Sequence, residues 1–198
     1  MKYRELNLGQ VEAIVNKLGG MKGVRRFLSD ETVVKAIEKT FPIWKTIKLG
    51  TGLKTADDFR KALQQSGCKI GTWGSGILGE PAFTASDTET EVDLANVSVA
   101  ELGFKEGARR KDIYERAISL GLELCPNEVG PQLRLQYKDQ PSGEWLRIAM
   151  EPISDSDGYL GIFEVERGDD DLWLYGNDGD SDAFWHDRSR FVFVRPRK

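Results

Sequence analysis

LWLYGNDGDSDAFWHDRSRFVFVRP, residues 172–196, is the stretch on which the reading of the chain turns. Leu172-Trp173-Leu174 is a short apolar run and Phe191-Val192-Phe193-Val194 a run of β-formers, so both ends read as strands. Between them, residues 175–190 are Gly, Asp, Asn, Ser, Ala, Arg, His and aromatics. Turn formers dominate that middle, which predicts a loop or ragged hairpin held between two anchored strands. Loops on a rigid scaffold are where binding residues concentrate.

The same segment is unusual in what it lacks. Glu, Lys, Gln and Met make up 39 of the 198 residues, yet none falls in 175–190, although that segment carries four Asp. Apart from Trp185, every residue there can be reached from the Asn codon AAC by changing only its adenines; Glu, Lys, Gln and Met cannot. The plainer explanation is an acidic turn that prefers Asp because its carboxylate hydrogen-bonds the nearby backbone. Tyr175, Phe184 and Trp185 stand among small polar residues, the composition of a paratope. Phe184 and Trp185 could both pin the loop from below. Trp185 is expected to be structural, with Tyr175, His186 and Arg188 facing solvent. The candidate ligand contacts are Tyr175, Asn177, Asp178, Asp180, Ser181, Asp182, Ala183, His186, Asp187, Arg188 and Ser189.

Working outward, 39% hydrophobic and 30% charged residues describe an ordinary soluble composition, in agreement with a mean hydropathy of -0.44. A net charge of -4 and a pI near 5.2 argue against nucleic acid as the main partner. The charge is uneven: residues 1–61 carry 13 Lys or Arg against 7 Asp or Glu, while 169–187 hold seven Asp. Two ends so charged suit two different partners. No apolar run spans a bilayer and the first residues lack a signal-peptide core, so a cytoplasmic protein with no membrane partner is expected. Cys68 and Cys125 read as two buried, reduced thiols, and their spacing suggests no zinc.

Along the chain, apolar residues at 8, 11, 14, 15 and 18 predict a helix ended by Gly19-Gly20. Val24, Phe27 and Leu28 predict a second, and residues 32–39 a third capped from Ser29-Asp30-Glu31. Lys22, Arg25 and Arg26 invite a helix-turn-helix reading, against which stands a small helical region used for docking. Residues 44–49 alternate as a strand, and Thr55 caps a helix through Gln65 closed by Gly67. The Gly-rich 68–83 resists assignment, and 86–91 reads as a linker or exposed loop. Beyond it come a strand at 92–99, a helix at 111–120, and a helical turn opened by Pro126-Asn127-Glu128. Strands at 145–150 and 160–165 precede the opening stretch. The expected domains are a helical region 1–40, a β-α segment and linker 41–91, and a ligand-binding domain 92–198. The fold class is α+β with a mostly antiparallel sheet and two helices.

Residues 117–137, AISLGLELCPNEVGPQLRLQY, resemble the second helical region of bacterial C-type-lectin-like domains: a helix ending in Leu-Gly, a short apolar step, then Pro and an acidic residue opening the next helix. Residues 120–145 also resemble a group of uncharacterised bacterial proteins that vary near their C-termini. The element order from 92 to 194 is similar to the lectin-like fold. Some of its members are variable proteins of diversity-generating retroelements, in which adenine-directed copying rewrites a cassette beside a fixed closing strand. That resemblance implies a display protein whose ligand, a protein, is met by a diversified surface in 175–190. It covers 92–198 and leaves the first ninety residues unexplained, with a second partner expected at the N-terminal helices.

Chemistry offers little. His186 is the only histidine, beside Asp187, but neighbours on an extended chain face opposite ways. Formylglycine-generating enzymes share the lectin-like architecture and use late cysteines, which this chain lacks after Cys125. Asp155, Asp157 and Gly158 echo part of a calcium loop, and 169–171 and 178–182 add carboxylates, leaving room for one structural calcium but no other cofactor. Two alternatives to a binder remain: an enzyme using the carboxylate-rich loops, with or without a metal, and a DNA-linked regulator read through the basic helices.

Overall fold

The computed structural model describes residues 7–29, 40–168 and 170–197, and the chain divides into two units, Met1–Lys39 and Thr40–Lys198. The first contains α1 (Leu8–Lys17) and α2 (Gly20–Leu28). Asn7 opens α1 with a capping box: its side chain takes the Gln10 amide while the Gln10 side chain takes the Asn7 amide. Gly19, at φ +86°, makes the left-handed turn into α2. The third helix expected at 32–39 lies outside the described residues.

In the second unit the strands are β1 (Lys45–Leu49), β2 (Cys68–Ile70), β3 (Thr90–Ser98), β4 (Ala108–Arg109) and β5 (Trp145–Ile148). They continue as β6 (Ile153–Ser154), β7 (Leu160–Arg167), β8 (Leu172–Asp178), β9 (Phe184–Trp185) and β10 (Arg190–Val194). The main sheet runs β1-β3-β10-β5-β7-β8-β2, with β6 paired to β7 off that path. The closing strand β10 lies inside the sheet, antiparallel to β3 and parallel to β5. β2 and β8 form a second parallel pair, and the other neighbours on the path are antiparallel. The protein is thus α+β.

Helices cover both faces. α3 (Ala56–Gln65) buries Phe59 and Leu63, and Thr55 caps it with Asp58 in a reciprocal box. α4 (Thr72–Gly79) buries Ile77 and Leu78, and α6 (Val129–Gln136) lies close enough that a Cβ on Gly130 would strike the Phe163 ring. On the opposite face α5 (Arg110–Ser119) sets Tyr114 edge-on to Phe191 and Phe193, at 6.1 and 6.0 Å between centroids. Phe163 and Phe191 fall on different faces because β7 Glu164 pairs with Arg147, and Arg147 with Phe191, one alternation away from Phe163.

Residues 41–91, set apart by the sequence reading, belong to the same unit as 92–198: β1, β2 and β3 extend one sheet. The buried Glu128 carboxylate fastens them, taking the Gly50 amide, the Ser86 amide and the Gln132 side chain at 2.8, 2.8 and 2.9 Å. Of 86–91, read as a linker or exposed loop, residues 87–89 are exposed and β3 begins at Thr90. The Gly-rich 68–83 forms β2 and α4, whose Gly71 and Gly74 approach Tyr175 and the Leu174 carbonyl where a Cβ would clash.

Candidate functional site

The expected loop is shorter than 175–190. β8 continues through Asp178 in register with β7, so Tyr175, Asn177 and Asp178 are strand residues and the connection proper is 179–189. Tyr175 is correspondingly packed: its ring stacks on Trp173 at 4.9 Å and 13°, and covers Gly71. The Asn177 amide donates to Glu164 at 3.1 Å. Neither has the freely solvated side chain that a loop position predicts.

The connection is tied down along its main chain. Gly179 N donates to Leu160 O at 2.9 Å, Lys111 N to Ser181 O at 3.1 Å and Arg110 N to Ala183 O at 2.9 Å. Further on, Ala100 N donates to Asp187 O at 2.8 Å and Val99 N to Ser189 O at 3.0 Å. Between these points β9 pairs with β4, setting Trp185 opposite Ala108 and Phe184 opposite Arg109. Gly107 makes this fit: it has φ +93°, and a Cβ there would lie 2.5 Å from the Trp185 carbonyl oxygen. The Arg110 guanidinium adds a bond to Asp180 O at 3.1 Å.

The aspartates build turns. The Asp180 amide donates to Asp178 Oδ1 at 2.8 Å, and the Asp182 amide to Asp180 Oδ1 at 2.7 Å. This is the local bonding for which Asp outcompetes Glu, one methylene longer. Asp182 sits between Lys111 at 3.0 Å and Arg109 at 3.1 Å, and Lys111 first, then Arg109, hold its carboxyl below the ordinary range. Asp155 also builds a turn, taking the amides of Asp157 and Tyr159 at 3.0 and 2.9 Å. Among the described residues no three His, Cys, Asp or Glu side chains gather into a cation site. Of the carboxylates considered for calcium, Asp155, Asp178 and Asp180 take backbone amides, Asp182 meets Lys111 and Arg109, and Asp171 meets Lys69; Asp169 lies outside the described residues.

Side chains divide cleanly. Trp185, 9% exposed, is held edge-on to Phe191 at 5.5 Å and against the Arg147 guanidinium at 4.9 Å. Ala183, Asp187 and Ser189 are half-buried, while Asp178, Asp180, Ser181, Asp182, His186 and Arg188 are exposed. Phe184, 56% exposed, stands edge-on to His186 at 5.8 Å and joins this surface. It was absent from the candidates; the signal was the alternation of a two-residue strand, which turns one of Phe184-Trp185 inward and the other out.

The sequence also gave no weight to the sheet face beneath Trp185. Glu164, 4% exposed, lies 2.7 Å from Arg147 Nε, with Glu166 two residues along on the same face. Burial raises the Glu164 carboxyl, against the pull of Arg147, and raises that of Glu166, whose next cause is Glu164. Burial likewise lowers the Arg147 guanidinium. The pair gives Trp185 a polar floor.

Comparison with protein-family models, curated proteins and solved structures finds no match to this chain. Among the described residues no helix is long and apolar enough to cross a membrane.

Proposed function

We propose that the chain is a non-enzymatic display protein, recognising a protein ligand through side chains at 178–188 on a C-type-lectin-like domain. One observation carries this reading. The main chain of 179–189 is bonded to β4, α5 and the 99–100 turn, yet Ser181, Phe184, His186 and Arg188 project outward. A backbone held this way can accept changes of side chain without refolding, and rigid aromatics beside adaptable polar groups suit protein recognition. The order β3, α5, α6, β5, β7, β8, β10, with β10 seated between β3 and β5, supports the lectin-like assignment.

Diversification of the surface is the sharper form of the proposal. It rests on the codon-restricted composition of 175–190 and on Trp185, outside that codon set, serving as the buried pin. Sequencing the locus tests it. The expected finding is a near-identical repeat, differing at adenines, beside a reverse transcriptase gene; a locus with neither rules active diversification out. The N-terminal unit fits a second docking role, since Leu8, Ile14, Phe27 and Leu28 are exposed on α1 and α2. An enzymatic alternative would draw on Glu164 and Glu166, whose carboxyls are both raised; Glu164 is committed to Arg147 and Asn177, which favours the binder.

A further inference from the structure

We propose that the pocket between α4 and the β6–β7 hairpin binds a small organic cation with an apolar, ring-sized body, apart from the loop surface described above. The pocket has a volume of about 220 Å³ and includes Trp73, Ile77, Ile153, Tyr159 and Leu160 in its lining. Glu80 and Asp155 also line it, and none of its lining residues is Lys, Arg or His.

Its construction starts from two glycines. A Cβ on β7 Gly161 or on β8 Gly176 would lie 2.9 Å from the Ile77 side chain, so only glycine lets α4 settle this low. The helix then meets the hairpin 154–160 along one flank. That hairpin is shaped by Asp155, whose Oδ1 takes two amides while its own amide donates to Tyr159 O at 2.9 Å. Around the hollow, Trp73 and Tyr159 are left 58% and 70% exposed. Large aromatic surfaces kept in water beside a cavity mark an interaction site.

The charge chooses the ligand. Two carboxylates line a mostly apolar hollow, and one of them, Glu80, stands at the C-terminal end of α4, where the helix dipole is negative. The nearby Arg60 guanidinium does not neutralise them: it is held by Asp57 at 2.9 Å and by the Ser75 carbonyl and hydroxyl. An ammonium group satisfies the carboxylates and is also attracted to aromatic faces, and a ring or short alkyl body fills the apolar part. An anion would face two negative groups, and a neutral apolar ligand would bring neither of them a counter-charge.

The test uses the whole chain with phenethylammonium as probe and 2-phenylethanol as its neutral counterpart of similar shape, read by calorimetry and tryptophan fluorescence. The ammonium should bind at least about tenfold more tightly than the alcohol, and Glu80→Gln with Asp155→Asn should shrink that preference to about threefold or less. Gly76→Leu should abolish binding of both with the melting temperature held, because a Cβ at Gly76 meets nothing within 4 Å and the side chain has the cavity to enter. Replacing Ser181, Phe184, His186 and Arg188 with Ala should leave ammonium binding unchanged, so failure here and failure of the display reading are separable. Equal affinity for the two probes, absence of ammonium binding, or binding that survives Gly76→Leu would overturn the proposal.

Discussion

Trp185→Ala removes the pin under the displayed segment, and its cost can be worked from the structure. An indole buries about 150–250 Å², which at about 25 cal/mol per Å² sets an upper bound of about 4–6 kcal/mol. Truncation of buried aromatics to Ala costs about 3–5 kcal/mol, and Trp185 also gives up its edge contact with Phe191 and its contact with the Arg147 guanidinium. A loss of about 4 kcal/mol should lower the melting temperature by about 8–16 °C in a unit of this size. Trp185→Phe should behave differently. Among the described residues indole Nε1 is buried without a hydrogen-bond partner, a cost of about 1–3 kcal/mol that Phe removes, so the smaller ring should leave stability within about 1 kcal/mol. Thermal melts by circular dichroism and amide exchange at Val99, Ala100, Arg110 and Lys111, which donate to the segment's carbonyls, provide the assay. Exchange at these four should accelerate in Trp185→Ala and hold in Trp185→Phe. A fall of less than about 3 °C with unchanged exchange in Trp185→Ala would refute the reasoning.

Arg147→Met should cost about 3–5 kcal/mol at pH 7, because it strands the buried Glu164 carboxylate. That carboxyl, already raised, would rise further, so the deficit should shrink as pH falls below its folded value. Arg147→Met with Glu164→Leu should recover the loss or better, since burial outweighs attraction for both partners; a double-mutant cycle in urea checks this. Gly107→Ala should destabilise by about 2 kcal/mol or more through its positive φ and the Trp185 carbonyl, read by the same melts. Asp93, whose carboxyl is held at about 2 by Arg197 and then Thr46, lends stability fully present above its ordinary value of 3.8 and lost as pH falls from there to about 2. Arg197→Gln should flatten that part of an acid titration; an unchanged profile would count against the pair.

The elements written by local chemistry were legible. Thr55 capping α3, Gly67 closing it at φ +75°, and the alternation of β1 are instructions carried within a few residues. β8 was cut short because Gly176, Asn177 and Asp178 read as turn formers. They are strand residues because β7 pairs with each of them, and Gly176 is small because α4 sits on it. β2 and α4 were hidden for the same kind of reason: β2 exists by parallel pairing with β8, about a hundred residues away. Of the eleven candidate contacts, Asp178, Asp180, Ser181, Asp182, His186 and Arg188 are exposed, while Tyr175, Asn177, Ala183, Asp187 and Ser189 are half-buried, and Trp185 is buried. The composition missed Phe184, and it missed Arg147 and Glu164, since a charged residue at the polar position of a strand gives no sign that a tryptophan from a later loop will cover it.

The central claim is a fixed main chain carrying replaceable side chains, and saturation mutagenesis of 178–190 with folded yield as readout tests it most directly. The account predicts broad tolerance at Ser181, Phe184, His186 and Arg188. It predicts a preference for short hydrogen-bonding residues at Asp178 and Asp180, and intolerance at Gly179 and Trp185 apart from Phe at 185, where Pro152 and Phe191 leave no room for change. Tolerance spread evenly along the segment would mean that its backbone is not held, and intolerance at the exposed positions would mean that its side chains are structure rather than display.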